Sequence, residues 1–336
     1  MTDGTGRLYV HALAGGGFRL RGEALDPRTA VPHATCECTY PLNLIRQIFE
    51  AYGAAYTCEE IGREIDDADA TLDVKYSIVA YFDDDVFSRP VRILDFGCGS
   101  GSSTMALSRL FPNASLVGVD FVSKFLAIGE ARAKHYGAKN LTFKQVDSAG
   151  VRDSKEEYDL VFLNAVYEHL LPHERPSVLA SIWAALKPGG RLILNQTPHR
   201  WFPIETHTSG LPLVNYLPDF VARAAIGIFS KRSVAKSNWD SLLRAGVRGA
   251  SVREIMRNIR RLDPDASLLQ PIRLVRAWPE IWYAAKKARL SKHGWLTRGA
   301  IGAAGEFIRI TKLPISPYVN IAVAKGVAPS KPQLSR

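Results

Sequence analysis

Asp95, Asp120, Asp147 and Asn164 each close an apolar run, and the histidines His169, His199 and His207 follow the last of them. Carboxylates and amides at such positions can accept hydrogen bonds from ligand hydroxyls or amines, and an ionised acid attracts a cationic group. Histidine titrates near neutral pH and suits proton abstraction. Between the first two acids lies Asp95-Phe96-Gly97-Cys98-Gly99-Ser100-Gly101. Glycines lack Cβ, so a loop with three of them can bend sharply and lie against a ligand.

The flanking residues say what must hold this loop. Ile93 and Leu94 end a buried strand. Ser102, Ser103 and Thr104 offer caps to a helix carrying Met105, Ala106, Leu107 and Leu110. A strand, a glycine loop and a helix open a doubly wound sheet, which binds ligands beyond the carboxyl ends of its strands. The glycines do not fit the dinucleotide pattern G-x-G-x-x-G: its third glycine position falls on Ser102. A carboxylate two residues before the first glycine would repel a pyrophosphate but suits an ammonium group.

Further strands follow at regular spacing. They are Ala114 to Asp120, Leu141 to Val146 ahead of Asp147, Tyr158 to Asn164, and a Leu186-Lys187-Pro188-Gly189-Gly190 turn into Arg191 to Leu194. Over about residues 88–200 the chain resembles the class I S-adenosylmethionine (SAM)-dependent methyltransferases. The resemblance implies a Rossmann-like, doubly wound seven-stranded α/β sheet, mostly parallel with the last strand antiparallel. It implies SAM as cofactor, with Asp95, Gly97, Cys98, Gly99 and Gly101 at its methionine end. Asp120 would accept from the ribose hydroxyls, with Phe121 beside it, Asp147 and Ser148 would lie at the adenine, and Asn164 would stand at the fourth strand tip.

For such an enzyme the protein mainly aligns nucleophile, methyl and sulfur and excludes water. An oxygen nucleophile also needs a base, for which His169 and His207 are the candidates, with His199 a third. The stretch Ala165-Val166-Tyr167-Glu168-His169 is similar to the E-V-x-E-H stretch of ubiquinone-pathway O-methyltransferases, where two glutamates and the histidine can hold a divalent ion. Ala165 replaces the first glutamate here, so no metal is expected. The run Thr197-Pro198-His199-Arg200 through Pro203-Ile204-Glu205-Thr206-His207 to Leu217-Pro218 resembles a segment of bacterial methyltransferases associated with polysaccharide or lipid-precursor pathways. O-methylation of a small or lipid-linked acceptor is therefore expected. The amino-methyltransferase stretch (N/D)PP(Y/F/W) is absent after strand four, and no cysteine follows Cys98, which disfavours a nucleic-acid substrate. RNA methylation and a non-catalytic SAM-binding role remain the alternatives.

The 336 residues, 46% of them hydrophobic, suffice for a packed core with additions. Three parts are expected: residues 1–88 with a flexible Gly/Arg-rich leader and helices, a SAM-binding core over 89–200, and 201–336 with the remaining strands and a basic cap. A sixth strand is expected around Ala250 to Ile255, a helical insertion over 262–312, a last strand from Tyr318 to Lys325, and a frayed tail from Pro329. Cys36, Cys38, Cys58 and Cys98 fit no zinc or C-x-x-C spacing and read as reduced thiols of a cytoplasmic protein. No signal-peptide layout is seen at the amino terminus. Residues 1–195 carry 20 Lys and Arg against 25 Asp and Glu, whereas residues 196–336 carry 23 against 8. That basic half suggests an anionic partner. Trp278, Ile281, Trp282 and Ala285 with nearby lysines, Lys292 included, form either a helix at the inner membrane face or a cap on the core.

Overall fold

In the computed structural model, residues 1–326 are described apart from 28, 30, 32, 65–68, 148–150, 152–154, 233, 235, 236, 290–294 and 312. Ser148, Lys292 and the tail from Pro329 lie outside the described residues.

The amino-terminal segment is a correction to the flexible leader. It forms β1 (Gly6–Ala12), β2 (Phe18–Ala24) and β3 (Thr35–Cys38), an antiparallel sheet in that order. Leu8 and Leu20 face inward between exposed arginines and acids, and they pack with Tyr40, Ile45 and Ile48 and with Ile128 of the core. Burying such leucines is worth about 1.5–3 kcal/mol each, which offsets part of the cost of ordering the segment. Helices α1 (Leu42–Tyr52), α2 (Thr57–Gly62), α3 (Asp69–Val79) and α4 (Asp85–Ser88) lead into the core.

There β4 (Arg92–Phe96), α5 (Ser102–Leu110), β5 (Ser115–Asp120), α6 (Ser123–Tyr136), β6 (Leu141–Gln145) and β7 (Tyr158–Asn164) alternate. They are followed by α7 (Arg175–Ala185) and β8 (Leu186–Pro198). β4, β5 and β7 are nearly continuous apolar runs, as strands covered on both faces require. Next come α8 (Asp219–Phe229), α9 (Trp239–Arg244), α10 (Val252–Leu262), β9 (Ser267–Leu268), α11 (Trp278–Arg289), α12 (Trp295–Thr311) and β10 (Tyr318–Ala324). The seven-stranded sheet runs β6-β5-β4-β7-β8-β10-β9. The pairs among β4 to β8 are parallel, and β10 is antiparallel to both its neighbours. This is the expected Rossmann-like order, with the last strand inserted beside β8.

The sixth strand is a second correction. Residues 252–262 are α10, begun by Ser251, whose hydroxyl accepts from the Glu254 amide at 3.2 Å. The strand that fills the sheet edge is the two-residue β9. On α11, Ile281 and Ala285 are buried and Trp278 packs against the core, edge-on to His199 with ring centres 5.4 Å apart. Trp282 turns to the main cavity. The tryptophan stripe is thus a cap rather than an outward face. All four cysteines are free thiols.

Candidate active site

The strand tips of β4, β5, β7 and β8 bring the predicted polar residues to one edge. Asp95 is buried at the end of β4. Its Oδ2 accepts from Ser103 Oγ at 2.7 Å and Thr104 Oγ1 at 2.8 Å, and its Oδ1 accepts from Asn164 Nδ2 at 3.2 Å. Asn164 in turn accepts from Asn195 Nδ2 at 3.3 Å, so three adjacent tips are tied together. Burial pushes the Asp95 carboxyl up to about 6, against the lowering effect of these donors, with the nearby Asp120 adding to the rise.

Asp120 grips the glycine loop. Its Oδ2 accepts from the Gly99 amide at 3.0 Å and its Oδ1 from the Val122 amide at 2.9 Å. Gly99, at φ 53°, faces open space: a Cβ there would meet only Tyr52 Oη, at 3.9 Å. Gly101, at φ 82°, serves packing instead, since a Cβ would lie 2.7 Å from Phe143 Cζ. Buried Cys98 fills the loop interior. The exposed Phe121 and Asp147 lie at the outer side of β5 and β6, away from the cavity lining.

A part of the site that sequence reading missed lies beneath this loop. Arg132 of α6 is fully buried and donates from Nη1 to Glu60 Oε1 at 3.1 Å, Ser100 O at 3.0 Å, Ser100 Oγ at 2.7 Å and Ser102 Oγ at 2.6 Å. Ser100 also donates to Glu60. No motif announces this pair, because 72 residues separate its members.

A cavity of about 700 Å³ opens over the tips. Gly97 to Ser100 and Asn164 form one wall, Tyr52 and Arg63 come from the amino-terminal helices, and His207, Trp282 and Tyr318 close the far side. Ala165 and Gln196, also in the lining, hold φ of 53° and 61°, a conformation rare outside glycine. The Gln196 amide donates to Asn320 Oδ1 at 2.9 Å where the β10 register shifts between Val319 and Ile321, a bulge that turns the strand at the cavity.

The three histidines separate. His199 is buried, paired through Nδ1 with Ser316 O at 3.2 Å, and absent from the cavity lining, which fits a structural role. His169 Nδ1 lies 2.6 Å from Arg244 O, and a carbonyl only accepts, so Nδ1 carries the proton. In the neutral ring Nε2 is then an acceptor, 3.9 Å from Glu168 Oε1. His207 lines the cavity, its ring against Gly246, where a Cβ would lie 2.6 Å away. Burial, with neighbouring His169, lowers its pKa to about 4. Its loop is set by Glu205, whose Oε1 accepts from the His207 amide at 3.0 Å and the Thr208 amide at 2.9 Å.

Glu168 is buried, its Oε2 accepting from Thr197 at 3.1 Å while Oε1 has no hydrogen-bond partner. Burial raises its pKa. Glu168, His169 and His207 each place a ligand atom within 4.8 Å of the others, so the group can hold a cation. The expectation of no metal counted only the first two, since His207 joins them through the fold.

Residues 93–190 match the family model described as a methyltransferase domain. The chain is 32% identical over 129 residues to the demethylmenaquinone methyltransferase of Lactococcus lactis subsp. lactis, covering 38% of this chain and 50% of that protein. It is 34% identical over 119 residues to a malonyl-[acyl-carrier protein] O-methyltransferase of Bacillus cereus, covering 35% and 42%. It is 35% identical over 101 residues to the trans-aconitate 2-methyltransferase of Deinococcus radiodurans, covering 30% and 36%. The chain spans half or less of the length of these relatives. With the sheet order and the loop geometry in place, residues 93–190 of this chain are a methyltransferase domain.

Proposed function

We propose that the protein is a SAM-dependent methyltransferase that acts on a small or lipid-linked acceptor, with oxygen as the acceptor atom. One observation carries the reading: a single cavity has the glycine loop as one wall and His207, Trp282 and Tyr318 as the other. The similarity to three small-molecule methyltransferases, one of them an O-methyltransferase, supports the class of acceptor.

The loop fits the cofactor, since Gly99 leaves room for close approach. The residues that would hold it are Gly97 to Gly101 with Asp95, Asp120 and Asn164, while Phe121, Asp147 and, by sequence, Ser148 would meet its adenine end outside the cavity lining. When bound, SAM supplies an electrophilic methyl group on a sulfonium. Asp95 and Asp120 fix the loop and offer negative charge, while Trp282 and Tyr318 shield the cavity from water. His207, neutral near pH 7 because burial lowers its pKa to about 4, accepts the proton of the acceptor hydroxyl. His169 stands beside it, with ring centres 5.9 Å apart, as the second candidate base.

The test is transfer of label from methyl-labelled SAM into small and lipid-extractable molecules of a cell extract. Label in an organic-extractable or small polar fraction, reduced about 10²–10⁴-fold by His207→Gln, supports the reading. Label in RNA alone, or SAM binding without turnover, contradicts it.

A further inference from the structure

α8 is built inside out. Of its eleven residues only Ala222 and Ile226 are buried, packing on Val214, Leu242 and Val247. Phe220, Ile228 and Phe229 are 78%, 73% and 66% exposed. Phe220, Ala224 and Ile228, four apart, share one outward face. The loop before the helix extends this surface with Trp201, Leu213 and Tyr216, all exposed. These residues are fixed rather than loose. Tyr216 Oη donates to Trp201 O at 2.6 Å, and the Leu213 amide donates to Pro203 O at 2.7 Å. Buried Arg248 clamps the helix start through Val214 O at 3.0 Å and Asp219 Oδ1 at 2.8 Å. A contiguous apolar patch on a rigid surface is rare without a partner.

The charge around the patch selects that partner. Between residues 206 and 232 the chain has one acid, Asp219, against Arg223, Lys231 and Arg232. Asp219 is paired with Arg248, whereas Arg223 and Lys231 are exposed. An apolar face rimmed by cations fits an anionic lipid surface. α8 spans roughly 16 Å, too short to cross a bilayer, and no helix among the described residues is long and apolar enough to do so. The patch also adjoins the cavity: Ile204 lines the cavity, is exposed, and bridges to Pro212 beside Leu213.

We infer that the outer face of α8, with Trp201, Leu213 and Tyr216, docks on an anionic membrane surface and turns the cavity mouth toward the lipid. The orientation rests on reading the cavity as the acceptor site, whereas the docking does not. The full chain is sedimented with vesicles of phosphatidylcholine alone or with phosphatidylglycerol added, at low and physiological salt. Expected is binding that is at least tenfold stronger with phosphatidylglycerol, is weakened by salt, and falls tenfold or more in Phe220→Ser/Ile228→Ser/Phe229→Ser. SAM affinity measured by calorimetry on the same variant stays at the wild-type value, which shows it folded and keeps this result separate from the methyl-transfer reading. Equal binding to both vesicle types, or equal binding by wild type and the triple variant, overturns the proposal. Failure to bind lipid with a dimer that the triple variant abolishes also overturns it, assigning the face to a second copy.

Discussion

Arg132 and Glu60 form a buried ion pair, 3.1 Å apart, directly under the glycine-loop residue Ser100 and its neighbour Ser102. The pair links α2 to α6 and fixes the floor of the loop. A buried charge left without its partner is costly, whereas an apolar replacement of both is tolerated better. Glu60→Ala should therefore lower stability by about 3–5 kcal/mol in denaturant unfolding. Glu60→Leu combined with Arg132→Met should cost less than Glu60→Ala. A single variant as stable as wild type would show that the pair does not support the loop.

Asp95 should give SAM affinity a pH dependence. Its folded pKa, raised to about 6 by burial, lies above the ordinary carboxyl value of 3.8. Protonation is thus favoured in the folded, ligand-free state; this contribution to stability is full below about 3.8 and lost as pH rises through about 6. A cationic ligand group favours the ionised form, so affinity should fall toward tenfold per pH unit below 6. Asp95→Asn should flatten that fall. Calorimetry from pH 5 to 8 checks it, and a wild-type affinity constant across that range would rule out the role.

His207 acts with the opposite sign. Its folded pKa of about 4 lies below the ordinary imidazole value of 6.5. The unfolded chain takes up the proton first, so stability is retained above 6.5 and lost as pH falls toward 4. The loss amounts to about 3 kcal/mol at most. In His207→Gln that part of the acid destabilisation should disappear. Denaturation midpoints for both proteins at pH 7 and pH 4.5 decide, and identical shifts would mean that the ring is not buried in its neutral form.

Chelation distinguishes two uses of the Glu168, His169 and His207 group. With His207 as base, turnover should be unchanged by EDTA. Loss of turnover with EDTA and its return with added magnesium, manganese or zinc would instead make these three residues ligands.

Much of the core could be read from the sequence because it repeats one rule, an apolar run ending in a polar tip. Asp95, Asp120 and Asn164 do stand at strand ends, and Tyr318 to Ala324 is the last strand. Two misses had local signals. The alternation of Leu8 and Val10, and of Phe18 and Leu20, across a Gly15-Gly16-Gly17 turn is a hairpin pattern with period two. Val252, Ile255, Met256 and Ile259 follow helical spacing behind a Ser251-x-x-Glu254 capping box, which argues against a strand. The Arg132–Glu60 pair and the approach of His207 to Glu168 had none. Each depends on which helices and loops meet over the sheet edge, and residue type and local spacing do not encode that. The exposed face of α8 was hidden for another reason: its apolar period looks like that of any core helix until the buried side is known.

Binding of SAM itself tests the account most directly. Asp120 holds the Gly99 amide and would receive the ribose, so its loss removes a charged acceptor from both. Isothermal titration of the wild-type protein should show saturable one-to-one binding. In a folded Asp120→Ala that binding should weaken by on the order of 1.5–3 kcal/mol, about ten- to a hundredfold. A folded wild-type protein that takes up no SAM, or a variant that binds it equally well, would contradict the assigned site.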